Sequence, residues 1–154
     1  NQGEYTKASV FYDKSLAIKL KTLGPDHLST ATTYCGMALV YKNQGEYTKA
    51  LAFYDKGLAI RLKTLSPNHP STASTYCGMA LVYDKQGEYT KALAFYDKAL
   101  AIRLEALGPD HPDTAAAYNN MAIVYKKQGG YPVALKKKQK AITIFDILRQ
   151  EVFN

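Results

Sequence analysis

Apolar and small residues recur at helical spacing along the whole chain. Between Thr72 and Lys85, Tyr76, Met79, Ala80 and Tyr83 fall at i, i+3, i+4 and i+7, the stripe of a helix buried on one side. Pro70 precedes this stretch, and Ser71 is the expected N-cap. Gly87 ends it, because glycine enters the left-handed conformation cheaply. A second helix is predicted from about Glu88 to Leu107, with Tyr89, Ala92, Leu93, Tyr96, Ala99, Leu100, Arg103 or Leu104, and Leu107 on its stripe. It stops at Gly108-Pro109-Asp110-His111-Pro112, where two prolines remove the backbone donors that a continuing helix needs. No segment sustains a period-two alternation, so strands are not expected and the fold class is all-α.

The pattern repeats. Gln-Gly stands at 2–3, 44–45, 86–87 and 128–129, a constant step of 42 residues. His27, His69 and His111 share that step, as do Cys35 and Cys77. Residues 44–65 and 86–107 differ only at Gly57/Ala99, Lys63/Glu105 and Thr64/Ala106. All 13 tyrosines fall into four periodic sets, which leaves none for a unique catalytic or binding role. A period of this length is the mark of a solenoid of stacked helix pairs. The expected division is 1–28 as the second helix of an incomplete first repeat, then repeats at 29–70, 71–112 and 113–154, the last with an atypical second helix. Together they make seven helices in one solenoid domain. The stripe Tyr5, Ala8, Tyr12 and Leu16 would have no preceding unit to cover it, so self-association through that end is expected.

These residues carry a family resemblance. Tyr-x-x-Met-Ala-x-x-Tyr, then Gln-Gly-x-Tyr-x-x-Ala, then an aromatic and a small residue, resembles the tetratricopeptide repeat. The 42-residue period, the Gly-Pro-Asp-His-Pro turn and the pair Asn119-Asn120 resemble its kinesin light chain type. The resemblance implies a right-handed α-solenoid of antiparallel helix pairs whose first helices line a concave, peptide-binding face. It also implies that Asn119 and Asn120 hold a peptide backbone, a task suited to an amide side chain that both donates and accepts.

In the two earlier repeats that pair becomes Cys35-Gly36 and Cys77-Gly78, which removes those donors and acceptors. A glycine inside a helix costs about 1 kcal/mol relative to alanine, so close approach of a neighbouring helix or of a bulky ligand group is expected there. Helical spacing from these pairs adds Thr32, Leu39 and Asn43; Ser74, Leu81 and Lys85; and Ala116, Ile123 and Lys127 to the same surface. That surface lacks the repeated Lys/Asn/Arg set resembling the carboxylate clamp of chaperone-binding members. A chaperone co-factor is therefore disfavoured.

The remaining chemistry is sparse. Units stacked about 10 Å apart hold the three histidines too far apart for metal ligands, which converge within ~2 Å of one ion. Imidazole bonds to backbone carbonyls in the turns are expected instead. The same spacing puts the two cysteines beyond the ~7 Å reach of a disulfide, and a reducing, cytoplasmic location is expected. No phosphate loop, nucleophile elbow or metalloprotease motif is present, so neither an enzyme nor a cofactor is expected. No apolar run approaches the roughly 18 residues of a membrane span, and no signal peptide is read at the start of the sequence.

Lys and Arg number 20 against 13 Asp and Glu, a net charge of +7 that favours an acidic partner. The one cationic cluster, Lys136-Lys137-Lys138-Gln139-Lys140, puts Lys138 where earlier repeats have Tyr12, Tyr54 and Tyr96. Solubilising an uncovered end explains it, with docking of an acidic partner as the alternative. Nucleic acid is not expected, since no aromatics interleave the lysines. The sequence thus reads as a protein-interaction scaffold that takes a peptide on its first helices. The alternative is a structural spacer or self-assembling segment, or an accessory to a domain outside these residues.

Overall fold

The computed structural model describes the backbone of residues 2–153 and the side chains of residues 3–150. Seven helices run along the described residues, with no strands among them: α1 (Gln2–Thr22), α2 (Leu28–Asn43), α3 (Tyr47–Thr64), α4 (Pro70–Lys85), α5 (Tyr89–Leu107), α6 (Pro112–Lys127) and α7 (Tyr131–Phe153). They form two compact units, Asn1–Pro67 with α1 to α3 and Asn68–Asn154 with α4 to α7.

The repeated turns explain the helix boundaries. His27, His69 and His111 are extended, and the Nδ1 of each accepts a hydrogen bond at 3.1 Å from the backbone N–H two residues on, at Ser29, Ser71 and Asp113. This corrects two expectations: His69, not Ser71, caps α4, and the imidazoles accept from N–H groups rather than bonding carbonyls. A ring nitrogen with a free lone pair serves an orphan donor as a serine oxygen would. Pro70 and Pro112 then fit the first helical position, where the missing N–H is no loss. At the other ends, Gly45, Gly87 and Gly129 take φ of +79°, +77° and +81°. The chain reverses there, so that Glu46, Glu88 and Gly130 donate at 2.9 Å to the carbonyls of Tyr41, Tyr83 and Tyr125.

Within a pair, an aromatic of the second helix lies on two tyrosines of the first. Phe53 stacks on Tyr41 at 5.3 Å with Tyr34 at 6.1 Å, and Phe95 stacks on Tyr83 at 5.3 Å with Tyr76 at 5.9 Å. Lys56 and Lys98 lie over the same ring sets. In α1 the equivalent Phe11 has no first helix before it among the described residues and is 69% exposed. The expected uncovered stripe is therefore displaced: Tyr5, Ala8, Tyr12 and Leu16 are half-buried, and Val10, Phe11, Ile18 and Leu20 are the large apolar residues of α1 left in solvent.

Within each unit a second helix also reaches forward to the next first helix, α1 to α2 and α5 to α6. Lys19 donates to the Ser29 carbonyl at 3.3 Å and the Thr33 hydroxyl at 2.8 Å, and Arg103 donates to the Asp113 carbonyl at 2.7 Å. On α5 it is Arg103 that is buried, while Leu104 is exposed. The unit Asn68–Asn154 is built on small residues that allow close helix approach (Ala73, Ala80, Ala92, Ala99 and Ala115) around Tyr96, Met121 and Val124.

One repeated staple is broken. Thr30 and Thr114 donate to the carbonyls of Gly24 and Gly108, at 3.1 and 3.0 Å, and both glycines have φ of +88°. Before α4 the corresponding residue is Ser66, and no non-glycine residue among those described has positive φ. Thr72, equivalent to Thr30 and Thr114, has a buried hydroxyl with no hydrogen-bond partner. Thr114→Val is expected to cost about 1 kcal/mol through the lost bond, whereas Thr72→Val is neutral or stabilising because it removes an orphaned polar atom. Urea unfolding of the two variants checks this, and equal losses would contradict the difference in bonding.

Candidate functional site

The first helices place the sequence-selected residues on two different sides. In Asn1–Pro67, Leu39 and Asn43 of α2 are exposed, Leu39 at 45%. Gly36 is half-buried, and a Cβ built on it would meet the Tyr12 ring at 2.5–2.8 Å, so its close neighbour is a helix of the same unit. Cys35 turns the other way: its Sγ lies 2.7 Å from where a Cβ on Gly57 would stand, which directs it at α3.

In Asn68–Asn154, Cys77 is buried in the core, and burial raises its thiol pKa above the ordinary value. Burial likewise pushes the phenol of Tyr54 in the first unit up to about 12, with Cys35 adding to the shift, and raises that of Tyr96. Leu81 is half-buried against the core cluster, Gly78 is half-buried, and Lys85 is exposed. Lys127 is committed, since its Nζ lies 2.7 Å from both carboxylate oxygens of Asp84.

The structure brings Asn119 and Ile123 together in a groove of about 590 Å³ between α6 and α7. The sequence reading did not select the rest of the lining: Ala122 and Lys126 on α6, and Tyr131, Ala134, Leu135 and Lys138 on α7. The Oδ1 of Asn119 accepts from the Lys138 ammonium at 2.6 Å. Asn119 and Lys138 occupy the repeat positions of Cys77 and Tyr96, so an apolar pair in one helix pair becomes a polar, charged pair in the next. The signal was present in the sequence as two departures at a step of 42, Tyr96 to Lys138 and Asp84 to Lys126. Asn120 is half-buried next to Asn119, on the strip of α6 that also carries Ile123 and Lys127.

The lysine run divides between two sides of α7. Lys138 turns to Asn119, while Lys137 and Lys140 lie 5.5 and 5.2 Å from the Tyr118 ring centre. Among the described residues, no group of His, Cys, Asp and Glu could hold a metal ion, and no helix is long and apolar enough to cross a membrane.

Helix pairs repeating at a fixed step, with small residues between them and no strand among the described residues, define an all-α helical repeat solenoid. The chain belongs to the tetratricopeptide repeat family, whose profile matches residues 1–63, 30–105 and 71–146. Its repeats are similar to those of the kinesin light chain type. Among solved structures it is similar to BtubC (BKLC) from P. vanneervenii, at 23% identity and TM-score 0.87 over 96% of this chain. The chain spans 59% of the length of that structure. It is also similar to a putative kinesin light chain with nearly identical TPR-like repeats from Podosopora anserina, at 25% identity and TM-score 0.79, covering 93% of this chain and 68% of that one. The N-terminal domain of stress-induced protein-1 from C. elegans shares the fold at 19% identity and TM-score 0.63, over 77% of this chain and 86% of its own. No curated protein matches the sequence. Tetratricopeptide repeats are in general protein–protein interaction modules, binding proteins or peptides as non-enzymatic scaffolds.

Proposed function

We propose that this chain is a cytoplasmic protein-interaction scaffold that takes an extended, acidic peptide of a partner on its first-helix faces. The observation that carries the reading is the outer strip of α6, where Asn119 and Asn120 lie beside Ile123, an apolar side chain left 46% exposed. Asn120 would pair with the peptide backbone, and Asn119 would do so with the amide hydrogens that its bond to Lys138 does not use. Leu81 and Ile123 would supply apolar contact on the second unit, and Leu39 would do so for a segment lying on the first. The charge of +7 would speed encounter with an acidic segment, with salt weakening the effect.

The test is a peptide display selection at physiological salt, run in parallel on the native chain and on an Asn119→Ala, Asn120→Ala variant. A convergent motif that the variant loses is the expected result. No enrichment, or enrichment that ignores the variant, would overturn the reading in favour of a self-assembling spacer.

A further inference from the structure

We propose that the side of α7 facing the α5–α6 turn binds a phosphorylated serine or threonine side chain of a partner protein, in a cavity between Lys136, Lys140 and Tyr118. This goes beyond the peptide-binding reading and does not depend on it, since none of these residues belongs to the outer strip of α6.

The cavity measures about 490 Å³. Pro109 and Asp110 from the turn, Tyr118 from α6, and Lys136, Lys140 and Thr143 from α7 line it. It is not a seat for a further helix. Although α6 packs against α5, the equivalent residues of α5, Ala94, Asp97, Lys98 and Ala101, are exposed as well. A following helix therefore leaves this side open.

What differs in α7 is the chemistry. Where α3 and α5 carry Ala52 and Ala94, Phe53 and Phe95, and Asp55 and Asp97, α7 carries Lys136, Lys137 and Gln139. Two cations are gained and a carboxylate is lost, while the lysine of Lys56 and Lys98 is kept as Lys140. Residues 112–149 hold seven Lys and Arg against two Asp and Glu, whereas residues 70–107 hold four against four. Exposure alone does not call for this bias, because Asp97 and Lys98 already keep the equivalent side of α5 polar. Lys137 and Lys140 lie 5.5 and 5.2 Å from the ring centre of Tyr118, which gathers their ammonium groups at that wall.

The charge selects the ligand. Three ammonium groups face the single carboxylate of Asp110, an excess of two positive charges. A phosphorylated side chain brings about −1.5 to −2 at neutral pH, whereas glutamate brings half of that. Lysine meets phosphate as a point charge, while carboxylates favour the arginine fork, and no arginine lines this cavity. The space is far larger than a phosphate ion, and Pro109, the Tyr118 ring and Ile144 give it an apolar wall for the carbon stem and chain of a phosphorylated residue.

The test titrates acetyl-phosphoserine methylamide into the isotope-labelled chain and follows backbone amide shifts by NMR. Saturable shifts confined to Tyr118, the α5–α6 turn and residues 136–144 are expected. Acetyl-glutamate methylamide and inorganic phosphate should each bind at least about tenfold more weakly. Lys136→Gln with Lys140→Gln should weaken phosphoserine binding about tenfold, and both side chains are exposed, so the variant should fold. Gln139→Asp should weaken it as well, in a residue the fold accepts at Asp55 and Asp97. Two controls should leave it unchanged: Lys56→Gln with Lys98→Gln, which removes the same charge at equivalent places, and Asn119→Ala with Asn120→Ala. Four results would overturn the proposal: no saturable shifts up to about 10 mM, equal binding of glutamate or inorganic phosphate, binding that survives both α7 variants, or loss of binding in either control.

Discussion

Tyr96→Ala is expected to destabilise the unit Asn68–Asn154 by about 3–5 kcal/mol, the largest loss of any single truncation in this chain. Tyr96 is the largest fully buried side chain among the described residues, 1% exposed, and it sits in one cluster with Cys77, Ala92, Ala99 and Met121. Deleting the ring removes its transfer energy and leaves a cavity that neighbouring alanines are too short to fill. Helices held by backbone hydrogen bonds cannot close such a gap without giving up contacts elsewhere. Urea unfolding followed by circular dichroism measures the loss. A cost below about 1 kcal/mol would mean that the ring is not a packing element of α4, α5 and α6.

Ala92→Phe tests the opposite limit. Ala92 is wholly buried in the first turns of α5, where its small size lets the helices approach. A phenyl ring there has to force α5 off its neighbours, at an expected cost of about 1–3 kcal/mol or more. The equivalent Ala134 of α7 gives an internal control, because it borders the open groove beside Leu135. A ring at 134 swings into that groove, so Ala134→Phe should cost clearly less than Ala92→Phe. Equal losses in thermal melts of the two variants would contradict the openness of the groove beside Ala134.

The chain's own differences between repeats fit the same physics. Cys77 and Tyr96 are buried together, and their equivalents Asn119 and Lys138 face a groove and bond each other. Where a helix covers the surface, an unpaired ammonium would be costly to bury. Where none does, lysine keeps its charge in solvent and its stem over apolar neighbours.

Much of this was legible from the sequence. The 42-residue step, the apolar spacing of Tyr76, Met79, Ala80 and Tyr83, and the Gln-Gly and Gly-Pro-Asp-His-Pro turns determined seven helices and the all-α class. They could do so because helix periodicity, glycine reversal and proline termination are local, each fixed within a few residues. Which way a side chain faces once helices meet is not local. The sequence put Cys77, Leu81 and Asn119 on one surface, and packing sent Cys77 to the core, left Leu81 half-covered and gave the Oδ1 of Asn119 to Lys138, 19 residues away. Lys127 was read as a surface cation, and only the tertiary arrangement set it against Asp84, 43 residues back. The groove beside Leu135 likewise belongs to tertiary structure, because its residues come from two helices, α6 and α7, that only packing brings together.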